Sequence, residues 1–267
     1  MNRQLSYAYA VLRAAEPPPT ALAAVRGVAQ APVTLVDAGS VAAAVSAVPA
    51  DEFSQTALKA HLEDLRWLES TARAHHLVIE TLAAHTSVLP LRLATVYLDD
   101  NRVREMLQAH EAAFTASLDR LADHVEWGVK VYADIPPSSA PPPPPSGPAD
   151  DPNPGRAYLR HRRHQRQAHE DTRRAAEEAV RRTELQAQNL AVERTRHRPQ
   201  QGTLAAPAPG ENIANDAYLV PRRLAEEFRD RMSHAADDLP GVRIEVTGPW
   251  APYSFAGLPP PPEAPQR

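Results

Sequence analysis

The side chains able to do chemistry in this chain are few and thinly arranged. Among its eleven histidines, His161 and His164 stand three residues apart, a spacing that on a helix puts two ligands on one face for a metal. Arg160, Arg162 and Arg163 crowd that pair with like charge, and no carboxylate lies between them, so no metal is expected. His75, His76 and His85 fall on or just after an apolar-striped helix, and for His75 or His76 the expected role is a buried or half-buried histidine bonded to a backbone carbonyl. Asp99-Asp100 precedes a helix as an N-cap does, and Asp237-Asp238 enters a Leu-Pro-Gly exit turn. The chain has no cysteine, which excludes disulfides, thiolate ligands and thiol nucleophiles. It has no phosphate loop, dinucleotide fingerprint, Gly-x-Ser-x-Gly elbow or His-Glu-x-x-His pair. Neither catalysis nor a cofactor is expected.

Two segments suggest binding instead. Residues 156–198 hold twelve arginines against six acids, a net +6 in a chain of net −4. Such a stretch can meet a nucleic-acid backbone, dock a protein or simply be solvated; Tyr158 is its sole aromatic residue, so base-stacking platforms are missing. The second segment is Gly248-Pro249-Trp250-Ala251-Pro252-Tyr253-Ser254-Phe255, which concentrates three of the fourteen aromatics on a proline-stiffened, non-helical ribbon. It either closes a core or presents a contact surface. Trp250 is expected to close the last strand onto the core, leaving Tyr253 and Phe255 for a partner.

The elements that must carry these segments follow from hydrophobic periodicity. Residues 5–13 alternate as a strand, with Tyr7, Tyr9 and Val11 on one face and Ala8, Ala10 and Leu12 on the other. Strands at 33–36 and 41–48 join at Asp37-Ala38-Gly39-Ser40. Asp51 is expected to cap a long helix with Leu58, Leu62, Leu65, Leu68, Ile79 and Leu82 as its stripe. Residues 88–97 read as a strand whose internal Pro90 favours an edge. A helix bearing Val103, Leu107, Phe114, Leu118 and Leu121 and a strand at 125–132 come next. A proline-rich linker covers 135–155, a charged helix 156–198 and a loop 200–209. A strand at 214–220, a helix opened by Pro221, a strand at 242–247 and a proline-rich tail at 256–267 complete the chain.

This order predicts an α+β fold of two domains. Residues 1–86 form a ferredoxin-like βαββα(β) domain, to which the strand 88–97 is open to being added. Residues 87–267 form a second α+β domain with the long charged helix inserted. The 267 residues are 43% hydrophobic but only 5% aromatic, so the core should be mostly Leu, Val and Ala. Net charge −4 argues against a general polyanion binder. No apolar stretch approaches the ~20 residues needed to cross a bilayer, and the first residues lack a signal-peptide core, so a soluble cytoplasmic protein is expected.

Four words of this sequence, in order, resemble the GvpL/GvpF gas vesicle protein family. They are Tyr7-Ala8-Tyr9-Ala10-Val11, Val88-Leu89-Pro90-Leu91-Arg92-Leu93-Ala94-Thr95-Val96-Tyr97, Glu126-Trp127-Gly128-Val129-Lys130-Val131 and the ribbon 248–255. Asn215-Asp216-Ala217-Tyr218-Leu219-Val220 is similar to the family's strand before the last helix. Leu93 and Ala94 depart from the pattern, which usually has an aromatic residue and a glycine there. The resemblance implies a non-enzymatic accessory protein of gas vesicle formation, located in the cytoplasm and at the vesicle. It implies binding to the hydrophobic shell subunit and to other accessory proteins, with help in nucleation or assembly, and no membrane partner. The alternative from the residues is a ferredoxin-like nucleic-acid-binding protein using 156–174. Candidate partner-binding residues are Trp250, Tyr253, Phe255, Leu91, Arg92, Arg160, Arg162 and Arg163.

Overall fold

A computed structural model describes residues 3–14, 20–61, 63–134, 154–199 and 210–257. Leu62, the loop 200–209 and most of the expected linker and tail lie outside the described residues. The chain divides into two compact units. One holds the residues up to Glu126 together with those from Pro249 on, and the other is Trp127–Gly248.

The first unit contains β1 (Gln4–Arg13), α1 (Thr20–Ala24), β2 (Thr34–Ala38), β3 (Val41–Pro49), α2 (Ala50–Phe53), α3 (Gln55–His61) and α4 (Leu65–Ala83). These are followed by β4 (Leu89–Pro90), β5 (Val96–Tyr97), α5 (Asp100–Ala109) and α6 (Glu111–Leu121). Its sheet runs β2-β3-β1-β4, with β5 also pairing β1. All these pairs are antiparallel, which is a ferredoxin-like order with the fourth strand in two pieces. The division at Glu126 rather than at 86/87 has a physical cause. β4 and β5 complete the first sheet, and α5 and α6 pack on its strands.

β1 is buried from Leu5 to Leu12 because both of its faces are covered. Tyr7 and Tyr9 face Phe53 and the Val78, Ile79 and Leu82 side of α4. A bulge between Ala8 and Ala10 then shifts the alternation, so Leu12, not Val11, continues the tyrosine face. Val103, Leu107, Phe114, Leu118 and Leu121 are all buried on α5 and α6, which meet at His110. Asp99 caps α5, accepting from Arg102 N at 2.9 Å.

The single long helix expected after Asp51 is three. Pro49, not Asp51, stands at the N-cap of α2, and Asp64 caps α4 by accepting from Arg66 N and Trp67 N. This restart rotates the apolar stripe: Thr71, His75, Val78, Ile79 and Leu82 are buried, whereas Leu65 is 71% exposed.

The second unit takes in most of β6 (His124–Ala133), then α7 (Pro154–Ala187), β7 (Glu193–His197), β8 (Glu211–Pro221), α8 (Ala225–Ser233) and most of β9 (Val242–Trp250). Its sheet runs β7-β8-β6-β9, the same βαββαβ order as the first unit. The charged helix expected over 156–198 therefore ends at Ala187, and its last residues form edge strand β7 instead. Helix α7 reaches the core through small side chains, Ala176 and Ala179, against Val131 and Ala133. Farther along this unit, Phe228 on α8 packs between Trp127 and Tyr218, at ring separations of 6.2 and 5.4 Å.

Candidate protein-binding surface

The ribbon begins inside β9 at Gly248, whose φ of 133° suits a residue without Cβ, and leaves the strand after Trp250. From Pro249 on it belongs to the first unit. Three charged-group contacts fix its backbone there. Glu126 accepts from Ser254 N and from Ser254 Oγ, each at 2.7 Å, and Arg120 Nη2 donates to the Phe255 carbonyl at 2.6 Å. Ala251 enters the first core, and Phe255 is 3% exposed at the end of a single 3-10 turn, Tyr253–Phe255.

Trp250 and Phe255 consequently exchange their expected roles, while Tyr253 stays at the surface as expected. Trp250 is 39% exposed and Tyr253 36% exposed, while Phe255 is buried and offers no side chain to a partner. Trp250 and Tyr253 both lie against His76 on α4, with ring centroids 5.4 and 6.3 Å away, and His76 Nε2 is 3.3 Å from Glu80. Partial burial, then the Glu80 and Glu126 carboxylates, push the Tyr253 phenol well above its ordinary value, so it stays neutral. Beside His76, Leu77 is 52% exposed. The result is an aromatic and aliphatic patch carried on a pinned backbone. From the sequence His76 reads only as a buried or half-buried histidine and Glu126 only as part of a family word; the proline and aromatic count locates the ribbon but gives no signal that these residues dock it.

Leu91 and Arg92 lie in the turn between β4 and β5. Leu91 is 2% exposed, so it too is unavailable as a contact, while Arg92 is exposed. The turn is held from inside by a buried chain of hydrogen bonds. His75 Nε2 lies 3.2 Å from the Leu91 carbonyl and so must donate to it, which leaves Nδ1 to accept from Tyr7 Oη at 3.0 Å. Tyr7 Oη in turn accepts from Ala94 N at 3.0 Å. Ala94 has φ 62°, the left-handed region that favours glycine, which accounts for a glycine being usual at this place in the resembling pattern.

Burial holds the His75 pKa down at about 4, against an ordinary value of 6.5. Between those values the unfolded chain binds the proton and the folded one does not, so stability falls as pH drops from about 6.5 towards 4. At pH 5 this residue alone is expected to cost the first unit about 2 kcal/mol relative to pH 7. Urea melts of the wild type and of His75→Gln at both pH values check this: the variant, though weaker at pH 7, should lack that drop.

Arg160, Arg162 and Arg163 sit exposed on α7, which belongs to the second unit. A cavity of about 430 Å³ in the first unit, flanked by Leu5, Phe53, Leu58, Val96, Tyr97 and Leu98, adds apolar lining but no pair of acid and base groups. Among the described residues no three His, Asp or Glu side chains converge as metal ligands would, and no helix is long and apolar enough to cross a membrane.

The family profile "Gas vesicle synthesis protein GvpL/GvpF" matches residues 5–257. The chain belongs to the GvpL/GvpF family. It is 41% identical to "Gas vesicle protein L" of Streptomyces sp. (strain CB03234) over 96% of this chain and 94% of that one. To "Gas vesicle protein F" of the same strain it is 29% identical, over 94% of this chain and 98% of that one. The crystal structure of GvpF from Anabaena sp. PCC7120 superposes with TM-score 0.67 at 18% identity, covering 96% of this chain and 97% of that one. That of GvpF from Microcystis aeruginosa gives 0.64 at 19%, covering 95% and 99%. At those identities the likeness carries the α+β, two-domain fold. Membership of GvpL/GvpF places the chain's role among gas vesicle accessory proteins. The words resembling GvpL/GvpF fall on β1, on β4 and β5 with the turn between them, on β6 and on β9 with its ribbon, and so contribute strands to both sheets.

Proposed function

We propose that this chain is a non-enzymatic accessory protein, located in the cytoplasm and at the vesicle, that binds the hydrophobic gas vesicle shell subunit and other accessory proteins to assist nucleation or assembly. The exposed pair Trp250 and Tyr253 over His76, on a backbone pinned by Glu126 and Arg120, carries this reading. A shell subunit with a water-excluding face aggregates before it assembles unless that face is covered. Rigid aromatic side chains cover apolar surface at little entropic cost, because the ribbon is ordered before the partner arrives. The higher identity to protein L than to protein F of one strain favours an L-type member.

Capture of purified shell subunit by the immobilised full chain tests the proposal. Trp250→Ala with Tyr253→Ala is expected to weaken capture about tenfold or more, the range of an interface hot spot, with little change in melting. Undiminished capture by that variant would remove this patch from the role, and no capture by the wild type would remove the role itself.

A further inference from the structure

Helix α7 carries a charge pattern that its own unit leaves unanswered. Every described side chain over 159–168 is exposed, and burial begins only at Ala176 and Ala179. At about 100° and 1.5 Å per residue, Arg162, Arg166 and Arg173 share one stripe roughly 17 Å long, with Arg163 beside it. Acids within the helix start at Glu170 and Asp171, which both pair with Arg174, while Arg173 lies 3.9 Å from Glu211. Arg162, Arg163 and Arg166 make no ion pair among the described residues. Their mutual spacings, i,i+3 and i,i+4, set like charges against one another, so this unpacked part of the helix is weakened by its own side chains.

We propose that this stripe docks an acidic helix of a partner protein, with carboxylates at i,i+4 spacing meeting Arg162 and Arg166 and a third meeting Arg163. Arginine's planar fork takes a carboxylate through two parallel hydrogen bonds, and each pair formed replaces a repulsion in α7 with an attraction. Nucleic acid fits less well. Three unanswered arginines neutralise about three phosphates, where salt-sensitive duplex binders use roughly 6–10. Over 159–174 there is no Phe, Tyr or Trp to stack a base; the described rings there are the imidazoles of His164 and His169. The rest of a chain of net −4 repels a polyanion that extends past the arm. The stripe belongs to the second unit and the ribbon to the first, and a stripe that recognises carboxylates calls for a different partner surface from the apolar shell face.

The test titrates the full chain against a labelled helical peptide with glutamates at i,i+4 and, separately, against a labelled DNA duplex of about 20 base pairs, following anisotropy. The peptide is expected to bind at about 20 mM salt and to weaken about tenfold or more by roughly 200 mM, as screening shortens the reach of the charges. Arg162→Ala, Arg163→Ala and Arg166→Ala together should weaken it at least about tenfold, since alanine keeps the helix while removing the forks. The matching triple change to lysine should recover part of the binding through charge alone. Capture of shell subunit should be the same in all of these chains. No peptide binding at low salt, equal binding by the alanine variant, or tighter binding of the duplex than of the peptide would each overturn the proposal.

Discussion

Phe255→Ala is expected to destabilise the first unit by about 3–5 kcal/mol, the cost of emptying a fully packed phenylalanine site. The ring is 3% exposed, and its own carbonyl receives the Arg120 guanidinium, so the truncation leaves a cavity at the point where the ribbon is tied down. Trp250→Ala, at a residue 39% exposed, is expected to cost about 1 kcal/mol or less, because much of that ring already faces water. Calorimetry on the full chain separates the two. Phe255→Ala should move the transition of the first unit down by many degrees, leaving that of the second in place, and Trp250→Ala should move neither appreciably. The opposite ranking would mean that Trp250, not Phe255, anchors the ribbon. Phe255→Ala should also lose shell-subunit capture, but only together with melting, whereas Trp250→Ala with Tyr253→Ala loses capture on a chain that melts normally.

Why the sequence identifies this ribbon yet exchanges Trp250 with Phe255 has a local answer. Alternation tells faces apart only while the chain stays extended. Gly248 at φ 133° and the single 3-10 turn at Tyr253–Phe255 each reset the direction in which the next side chain points. The same failure recurs at the β1 bulge, where one extra residue moves Leu12 onto the tyrosine face, and at Asp64, where a new cap rotates the stripe of α4. Where neither bulge nor cap intervenes, pattern and packing agree. β6 buries Val125, Trp127, Val129 and Val131 in strict alternation. The one helix expected over 103–121 breaks at His110 into α5 and α6, yet the two pieces together bury all five residues that spacing selects. The binding surface was legible as a place rather than as a set of contacts, because its organisers, His76, Glu126 and Arg120, come from positions more than 120 residues away in sequence.

Strand β7 was illegible for another reason, and it leads to the second large effect. Glu193-Arg194-Thr195-Arg196-His197 has no apolar residue, and Thr195 is its one strand former, so its composition gives little to favour a strand over the helix that precedes it. Tertiary charge pairing decides. Arg196 lies opposite Asp216 on β8 and Arg194 opposite Tyr218, and Asp216 is 3% exposed. Arg194 Nη2 bonds Asp216 Oδ2 at 2.9 Å and Glu184 on α7 at 2.7 Å, while Arg196 Nε stands 3.6 Å from Asp216 Oδ1. Burial opposes the charge on Arg194, but the two carboxylates outweigh it, and its pKa ends above the ordinary value. Arg194→Ala should therefore cost the second unit about 3 kcal/mol, because it leaves a buried carboxylate with only the exposed Arg196 at 3.6 Å rather than merely removing a surface pair. If the loss comes from that stranded charge, Arg194→Leu combined with Asp216→Leu should recover most of it. Recovery of stability should not recover behaviour, however. β7 is the edge of its sheet, and charged side chains on an edge strand discourage pairing with the edge of another molecule. The double leucine chain is thus expected to melt near the wild type but to elute as larger species in size-exclusion chromatography. A monodisperse double variant would show that these arginines serve stability alone, and one that stays as weak as Arg194→Ala would show that the buried pair is not what holds β7 to β8.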